Sequence, residues 1–480
     1  MTGPAQFKPD TPSGDYEAMA PYWRMANDLI EGADAVRAAG RMYLPQLPDE
    51  SHADYDYRRK AAKFTNVYRD VVESLAAKPF RKEVAIKAGA SAAIMALAED
   101  IDGQGNSLHV FAASTFFAGI NSAVDWILVD APKALDLGKR TASVADQKAA
   151  GVRPYWVRIP AHCMLAVESA AIGGRQEIVH ARWQENISIR EGFAEKSVRR
   201  IRILERPKQP GGNYGPATWT VYEEREGIRV GEKVWVEIDS GPISIGVIPL
   251  VPFIAGRRKG GSWQFVPPMK DAAHLQLDLY RAETDLQNIK TLICFPMLTG
   301  QGISPDAAGT LYAGPNRVLY TTNTEAKWSF LEPQATSLDF LAKEIDRIER
   351  QLRDIGRQPL TAQTGNLTVV TTAFAASKAN SVISAWTLNL KDALEQALKL
   401  TAAFISDPSQ PEVEIDQDFD LRLDGEHDVE CLSDMRSRGD LSRATFWSEL
   451  KRRGLLSAEF DPVVEAARIE QETADRYPGE

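Results

Sequence analysis

The most regular apolar pattern in the chain lies between residues 338 and 355. Apolar residues recur there at alternating steps of three and four, at Leu338, Leu341, Ile345, Ile348, Leu352 and Ile355. These steps place every member on one narrow face of an α-helix. Opposite charges four residues apart predict ion pairs on its outer surface, at Asp339/Lys343, Asp346/Arg350 and Glu349/Arg353. The chain therefore contains a helix that must bury one narrow stripe.

A second narrow stripe precedes the first. Its members also alternate in steps of three and four, at Leu275, Leu279, Ala282, Leu286, Ile289 and Ile293. Residues 295–335, between the two helices, read as strands and turns. The two stripes can pack against each other within one chain or against a neighbouring copy, and periodicity alone leaves both arrangements open.

The first 256 residues predict a mixture of helices and sheet. Helical patterns cover Asp15 to Ala39, Ser51 to Ala77 and Ser91 to Phe117, and AVDWILVDAP at 123–132 predicts a buried strand. Residues 153–239 alternate apolar and polar positions between Gly/Pro turns, as antiparallel strands do. Two prolines in 245–256 indicate a short edge strand. The fold class is α+β, and 480 residues are ample for several domains.

Twenty consecutive residues, 358–377, carry no charge, although one quarter of the chain is charged. A helical pattern follows to residue 405, then an acidic strand pattern at 411–423 and a helical module at 432–471. The uncharged run is either a partly buried connector between two helices or a segment whose function requires the absence of charge.

Composition narrows the classes of function. A net charge of −10 argues against tight nonspecific binding of nucleic acid, which needs cationic side chains. Three distant cysteines form neither a disulfide framework nor a zinc motif. No apolar run approaches 18 residues and the N-terminus lacks a signal-peptide pattern, so we expect no membrane partner and synthesis in a cytoplasm.

Searches for catalytic motifs give little. No phosphate-binding loop, HExxH or GxSxG is present, so we expect no enzyme, no cofactor and no metal. His162 and Cys163 would point to opposite faces of a strand, which predicts a structural role for both. The basic run Arg58 to Lys60 is either a phosphate contact or a solvated helix face.

Several strings, in this order, resemble the portal proteins of tailed bacteriophages, in a divergent branch regarded as a domain of unknown function. They include YLPQLPDES, VYRDVVESLAAKPFRK, RPYWVRIPA, IPLVPFIAG, PPMKDAAHLQLDLYRAETD, EPQATSLDFLAKEIDRIERQLRDIGRQPLTAQTGN and RGDLSRATFWSELKRRGLL. The likeness runs from about Tyr43 to Arg468, and the order of the strings carries it.

The resemblance implies a portal fold with an α/β wing, a two-helix stem, a small clip, a tunnel loop with a long helix, and a helical crown. Its segments are a wing at 1–266, stem helices at 267–292 and 337–357, a clip at 293–336, a tunnel loop at 358–376, a long wing helix at 377–406, a wing strand at 407–428 and a crown at 429–480. The crown and clip are shorter than in commoner portal families, which leaves a crown barrel and extra clip contacts in doubt.

The resemblance also implies a function and partners. Portals form dodecameric rings at one capsid vertex, through which double-stranded DNA is packaged and ejected. The implied partners are further copies of the chain, the major capsid protein, the terminase large subunit and the head-tail adaptor, with DNA touched only weakly. The implied location is the virion, after assembly in the host bacterial cytoplasm.

Two sets of residues then follow as candidates. The residues of the tunnel loop that would line the DNA channel are Thr361, Gln363, Thr364, Asn366, Thr368, Thr371 and Thr372. The residues assigned to stem and oligomer packing are Leu338, Leu341, Ile345, Ile348 and Leu352. Duplex DNA carries a charge about every 1.7 Å, so a lysine repeated around a ring would hold the DNA, whereas amides and hydroxyls let it slide.

Two alternatives remain. Asp416, Asp418 and Asp420 alternate on one face of a strand and could bind a metal in a phage-encoded nuclease or hydrolase. The second alternative is a minor head or adaptor protein without a DNA channel. The enzyme would show magnesium-dependent activity as a monomer or dimer, and the adaptor would form a ring without a central hole lined by 358–376.

Overall fold

A computed structural model describes residues 8–87, 89–132, 136–137, 140–141, 153–227, 232–294, 297–301, 327–331, 336–357, 369–417, 432–452, 455–456 and 460–476. The chain divides into two compact units, residues 1–419 and 420–480. Helices and sheets both occur in the first unit, which confirms the α+β prediction. No described helix is both long and apolar enough to span a bilayer.

The N-terminal part is a group of helices. Its members are α1 (Gly14–Glu31), α2 (Ala33–Ala39), α3 (His52–Ala61), α4 (Val67–Ala77), α5 (Ala92–Ala98) and α6 (Leu108–Ser122). Side-chain oxygens of Ser13, Ser51, Asn66 and Ser91 accept from backbone N–H groups at the starts of α1, α3, α4 and α5. These caps satisfy donors that a helix start otherwise leaves free.

Each of the three predicted helical stretches is broken once. Gly32, with a φ of 103°, separates α1 from α2, since a glycine adopts this left-handed backbone without steric cost. Residues 62–66 separate α3 from α4, and residues 99–107 separate α5 from α6. The periodic pattern continued across these gaps because the flanking helices bury apolar residues on both sides.

A three-stranded antiparallel sheet forms the centre of the first unit, in the order β11 (Leu250–Ile254), β2 (Val124–Asp130), β5 (Tyr155–Ile159). In its register Leu250 pairs with Leu128 and Trp126 pairs with Ile159. The predicted buried strand is therefore the central one. The Pro252-containing strand lies at an edge, as predicted, where a missing N–H breaks no ladder.

The second sheet is a five-stranded meander in the order β10 (Lys233–Pro242), β9 (Thr218–Glu226), β8 (Ala194–Glu205), β7 (Arg175–Glu191), β6 (Met164–Ile172). This confirms the antiparallel prediction for 153–239. We call its distal part the β-arm, defined as residues 186–200, 223–227 and 232–236. Phe193, at the turn between β7 and β8, is fully exposed.

In the β-arm, paired charges rather than an apolar core add to the backbone hydrogen bonds between strands. The cross-strand ion pairs are Arg199–Glu224 at 3.2 Å, Arg200–Glu223 at 2.8 Å and Lys233–Glu224 at 2.9 Å. Hydrogen bonds from Arg225 and Arg200 lower the pKa of Glu223. By contrast Trp183 and Ile201, in the proximal part of the same strands, are buried.

The remaining strands form short pairs: β1 (Ala85–Ile86) with β16 (Val413–Glu414), β3 (Asp136–Leu137) with β4 (Arg140–Thr141), β12 (Arg257–Arg258) with β13 (Phe265–Val266), and β14 (Met297–Gln301) with β15 (Lys327–Leu331). The long helices are α7 (Lys270–Cys294), α8 (Thr336–Arg357) and α9 (Val369–Phe404). The second unit contains α10 (Arg443–Arg452) and α11 (Pro462–Arg476), where the ring of Trp447 meets that of Phe460 edge to face.

Helices α6 and α9 both pack against the three-stranded sheet. The rings of Phe116 on α6 and Phe253 on β11 stack 5.6 Å apart, and Gly119 lies where any side chain would collide with the Phe253 ring. The indole N–H of Trp156 on β5 donates to the Thr401 hydroxyl of α9 over 2.8 Å. This close packing makes the sheet and the two helices one core.

One charged residue lies inside this core. Asp125 on β2 is 1% exposed, and the closest cation, Arg158 Nε, is 3.7 Å from its Oδ2, which is beyond hydrogen-bonding distance. Burial raises the pKa of Asp125 to about 8, although the charge of Arg158 opposes the rise. The carboxyl group is therefore protonated over part of the neutral range and is costly to ionise.

We expect Asp125→Asn to stabilise the protein at alkaline pH. The unfolded chain ionises Asp125 near pH 4, about four units below the folded protein. The cost of folding therefore grows as pH rises through this window and is complete above about pH 8. Urea unfolding at about pH 5 and pH 8.5 should show an advantage of the variant that grows with pH to a few kcal/mol. An advantage independent of pH would contradict this assignment.

Candidate functional site

The predicted pair of narrow-stripe helices forms a helical hairpin. Helices α7 and α8 pack against each other and are joined through the antiparallel ribbon β14–β15, in which Met297 pairs with Leu331 and Gln301 with Lys327. Both strands were expected from the sequence between 295 and 335. Because an antiparallel ribbon reverses the chain, α7 and α8 run in opposite directions.

The first half of α7 is buried deeply in the first unit. Ala273, Leu279 and Tyr280 are inaccessible to solvent, and Leu277 is also buried. From Asp285 onward exposed residues become frequent, with Gln287 and Lys290 on the surface. The narrow stripe predicted for α7 is therefore only one part of a broader buried surface near its start. The hairpin leaves the body of the unit near Thr284.

Two polar residues of α7 hold the start of α4. The side-chain oxygen of Gln276 accepts from the N–H groups of Val67 at 3.0 Å and Tyr68 at 2.9 Å, and its amide donates to the Thr65 carbonyl at 2.8 Å. Glu283, two turns later, accepts from the Thr65 hydroxyl at 2.6 Å. Helix α4 thus has its first N–H groups satisfied by a helix about 200 residues away in sequence.

Arg58 has a role that neither interpretation of the basic run foresaw. Its side chain is 4% exposed and forms two hydrogen bonds to the Glu50 carboxylate, at 2.7 and 2.8 Å. A third bond, at 2.8 Å, goes to the carbonyl of Pro45. The pKa of Glu50 is lowered, first of all by these bonds from Arg58. Arg58 is an internal ion-pair partner and is not available to a phosphate.

The stripe on α8 is divided between two environments. Ile348 and Leu352 are buried in the main core, and Gly356 lies against Val71 of α4. Leu338, Leu341 and Ile345, nearer the ribbon, are only half-buried. Their assignment to packing between copies stays a prediction.

Among the three predicted ion pairs on α8, one is present. Arg353 donates to Glu349 at 2.7 Å. Arg350 instead donates to the backbone oxygen of Asp346, and Arg347 pairs with Glu344, three residues earlier. The Asp339/Lys343 pair does not form either, because long exposed side chains have several partners of similar energy and spacing alone does not choose among them.

Most predicted channel residues lie outside the described residues, namely Thr361, Gln363, Thr364, Asn366 and Thr368. Thr371 and Thr372 were predicted in a loop but lie in the first turn of α9, which begins at Val369 rather than at 377. Residues 369–376 contain neither glycine nor proline and include three alanines, so nothing in them stops a helix. The resemblance to portal proteins implies a loop as far as residue 376, and the helix begins earlier than that.

The acidic alternative site is only partly described. The Asp416 carboxylate pairs with Lys82 at 3.5 Å and Arg81 at 3.6 Å, while Asp418 and Asp420 lie outside the described residues. In the described part of the chain, no three acidic, histidine or cysteine residues are grouped as metal ligands. Asp416 therefore serves an internal ion-pair network.

The His162–Cys163 pair lies in a short 3-10 turn, Ala161–Cys163, and not in a strand as the sequence argument assumed. The His162 Nδ1 atom is 3.1 Å from the Asn27 amide nitrogen. Burial raises the pKa of the Cys163 thiol and lowers that of His162. Both shifts disfavour the thiolate and imidazolium that nucleophilic catalysis requires.

A groove of about 1570 Å³ lies between the two large sheets. Its charged residues largely neutralise each other: Arg202 pairs with Asp130 at 2.8 Å and with Glu185 at 2.9 Å, and Arg200 pairs with Glu223. Arg200 and Arg202, which line the groove, are therefore neutralised by acids of the same chain.

One family model matches the part of the chain that contains the hairpin. A family model described as Domain of unknown function (DUF4055) matches residues 268–405, which span α7, the ribbon, α8 and α9. This is less than a third of the chain. No curated protein sequence matches significantly.

Three solved structures are similar to the chain over most of its length. They are titled "Neck of native GTA particle computed with C12 symmetry" (14% identity, TM-score 0.39, covering 86% of this chain and 98% of the other), "Virion of native gene transfer agent (GTA) particle" (12%, 0.39, 85% and 96%) and "Neck of empty GTA particle computed with C6 symmetry" (12%, 0.41, 86% and 96%). All three similarities are weak.

We expect Gln276→Leu to destabilise the first unit by about 2–4 kcal/mol. The substitution keeps the apolar bulk but leaves two buried N–H groups of α4 without an acceptor, each costing about 1–3 kcal/mol. Chemical denaturation measures the loss. Lys290→Leu, at an exposed position of the same helix, is the control and should change stability by less than about 0.5 kcal/mol. Equal effects would show that the Gln276 contacts carry no special weight.

Proposed function

We propose that this chain is a portal protein of a tailed bacteriophage, a non-enzymatic assembly protein. Copies of it close into a ring, with twelve as the expected number, at one vertex of a capsid. Double-stranded DNA passes through the ring during packaging and ejection. The proposal starts from the ordered strings shared with portal proteins, and the geometry of the hairpin supports it.

The observation that carries the proposal is the incompletely buried apolar stripe on the outer half of the hairpin. The α8 stripe begins in the core at Leu352 and continues past the body as Ile345, Leu341 and Leu338, which the chain itself covers only in part. Phe340, close by, is 70% exposed. Further copies in a ring would cover this apolar surface, since contiguous exposed apolar residues mark interaction sites.

The position of the uncharged segment also fits a channel loop. On one side, α8 is anchored to the core through Leu352 and Gly356. On the other side, α9 is anchored through Ile383, Leu390 and Leu394, which are inaccessible to solvent. Residues 358–368 therefore connect two helices fixed in the same unit. In the proposed ring this segment lines the hole.

The other elements receive the roles that the resemblance to portal proteins implies. The hairpin α7–α8 is the stem, and the ribbon β14–β15 belongs to the clip, where terminase and the head-tail adaptor would dock. The two large sheets and the N-terminal helices form the wing, which would meet the capsid protein. The unit containing α10 and α11 is the crown.

We expect Ile345→Asp to abolish ring formation while the chain still folds and expresses. The charge would be placed on the half-buried stripe that neighbouring copies are proposed to cover, where an unpaired carboxylate is costly. Native mass spectrometry and negative-stain imaging measure the assembly, and circular dichroism measures the fold.

Ile189→Asp, on the exposed β-arm, makes the same substitution away from the hairpin and should leave the ring intact. A wild-type protein that stays monomeric at high concentration would refute the proposed function. A folded Ile345→Asp variant with unchanged ring mass would refute the role of the stripe.

We expect Gln363→Lys to lower the amount of DNA packaged without altering the ring. One lysine per copy would produce a belt of cations that binds phosphates and slows passage. Packaging into procapsids with the terminase, followed by nuclease protection, gives the readout. Gln363→Met, which adds no charge, should package normally. If both variants package alike, residue 363 does not meet DNA.

A further inference from the structure

A small open cavity lies on the surface of the N-terminal helices. Its volume is about 370 Å³, and its walls come from the 3-10 turn Gly40–Met42 and from α3. The residues that line it are Gly40, Arg41, His52, Tyr55, Asp56 and Arg59. Two arginines and a histidine in so small a space make the cavity locally basic, in a chain whose net charge is −10.

Arg41 has no carboxylate partner in the described part of the chain. Its Nη2 atom is 3.1 Å from Nδ1 of His52, and its guanidinium lies over the Tyr55 ring, 5.7 Å from the ring centre. Neither contact supplies a full negative charge. Because Arg41 is exposed, its remaining N–H groups are available to a ligand.

The contact with Arg41 also fixes the tautomer of His52. A guanidinium can only donate, so Nδ1 must accept, and the ring proton lies on Nε2. The amide nitrogen of Gln46, 3.3 Å from the same Nδ1, agrees with this assignment. His52 therefore brings Nε2–H to the cavity as a further hydrogen-bond donor.

The charge of Arg59 is only partly compensated. Its carboxylate neighbour is Asp56, 3.3 Å away on the same helix and 57% exposed. Among the described residues nothing accepts a hydrogen bond from the buried Nε of Arg59. Its Nη1 lies close to Gly40, where a Cβ atom would be 3.8 Å away, so the guanidinium is beside the residue that precedes Arg41. The cavity thus contains two guanidinium groups and one carboxylate.

We propose that this cavity binds a phosphate group through the guanidinium groups of Arg41 and Arg59 and through Nε2–H of His52. Two cations at one cavity repel each other unless anions compensate them, and Asp56 supplies only one charge. A phosphate supplies several acceptor oxygens, which arginine binds through its paired N–H donors. Free phosphate and the backbone of a nucleic acid both present these oxygens, so both are sources of the group.

The neighbouring Arg58 shows why phosphate is favoured over a carboxylate. The Glu50 carboxylate takes two hydrogen bonds from this single guanidinium. The cavity offers two guanidinium groups and an imidazole N–H, which exceeds what the two oxygens of one carboxylate need. In the basic run of α3, Arg58 is therefore an internal partner, and Arg59 is the residue that contacts a phosphate.

Titration of the full-length chain with inorganic phosphate at low salt tests the proposal, with calorimetry as the readout. We expect saturable binding at one site per chain. Arg41→Gln and Arg59→Gln should each weaken it by about tenfold or more, since each removes a charge-assisted hydrogen bond. Lys60→Gln removes an exposed charge of the same helix outside the cavity. As the matched control, it should change the affinity by less than about threefold.

Asp56→Asn should have the opposite effect. It removes the carboxylate that lines the cavity and competes for Arg59, so phosphate should bind about three- to fivefold more tightly. Glu83→Gln, at an exposed acid outside the cavity, is the control and should leave the affinity unchanged. Thermal unfolding of each variant verifies that the chain remains folded.

A second ligand separates the two sources of phosphate. A short DNA duplex without terminal phosphates presents diesters alone, whereas inorganic phosphate presents the free group. Tighter binding of the duplex, with the same dependence on Arg41 and Arg59, would assign the site to a nucleic-acid backbone. Tighter binding of inorganic phosphate would assign it to the free group. Either result supports a phosphate site.

Three results would overturn the proposal. The first is the absence of saturable binding of both phosphate and the duplex. The second is binding that Arg41→Gln and Arg59→Gln leave unchanged. The third is an oligoglutamate peptide that binds at least as tightly as phosphate, which would indicate a carboxylate partner instead. None of these measurements depends on ring formation, so the phosphate site and the proposed function stand or fall separately.

Discussion

The hairpin depends on the hydrogen bonds that Gln276 and Glu283 make to the start of α4. A buried helix start exposes N–H groups that must find acceptors, and α7 supplies them while burying its own apolar residues around the same place. Helix α4 in turn packs against Gly356 of α8. Both helices of the hairpin therefore contact α4, and α7 also packs against α1 and α3.

Periodicity predicted which face of each long helix is apolar, but not how deep that face lies. Leu338 and Leu352 occupy equivalent positions in the pattern, yet only Leu352 is buried by its own chain. Spacing reports direction around a helix axis, whereas burial depends on what the rest of the chain places alongside. The strands were predicted well because alternation and turn residues are local signals.

The contacts that could not be predicted from the sequence join distant parts of the chain. Gln276 contacts residues more than 200 positions away, and Asp125 is buried because α6 and two further strands close around it. No local pattern distinguishes such residues from exposed ones of the same type. The start of α9 differs for another reason: the loop to residue 376 is implied by the family resemblance, whereas the composition of 369–376 allows a helix.

The salt concentration of the solution influences how rigid the β-arm is. Its strands are joined across by paired charges, whereas Trp183 and Ile201 secure the proximal part of the sheet by apolar burial. Dissolved ions shield exposed charges over about 8 Å at physiological ionic strength. Concentrated salt therefore weakens these pairs, most of all Lys233–Glu224, whose lysine is 65% exposed, whereas the apolar contacts of Trp183 and Ile201 do not depend on charge. The exposed aromatic residue Phe193 therefore lies at the tip of a segment that becomes less rigid as the salt concentration rises.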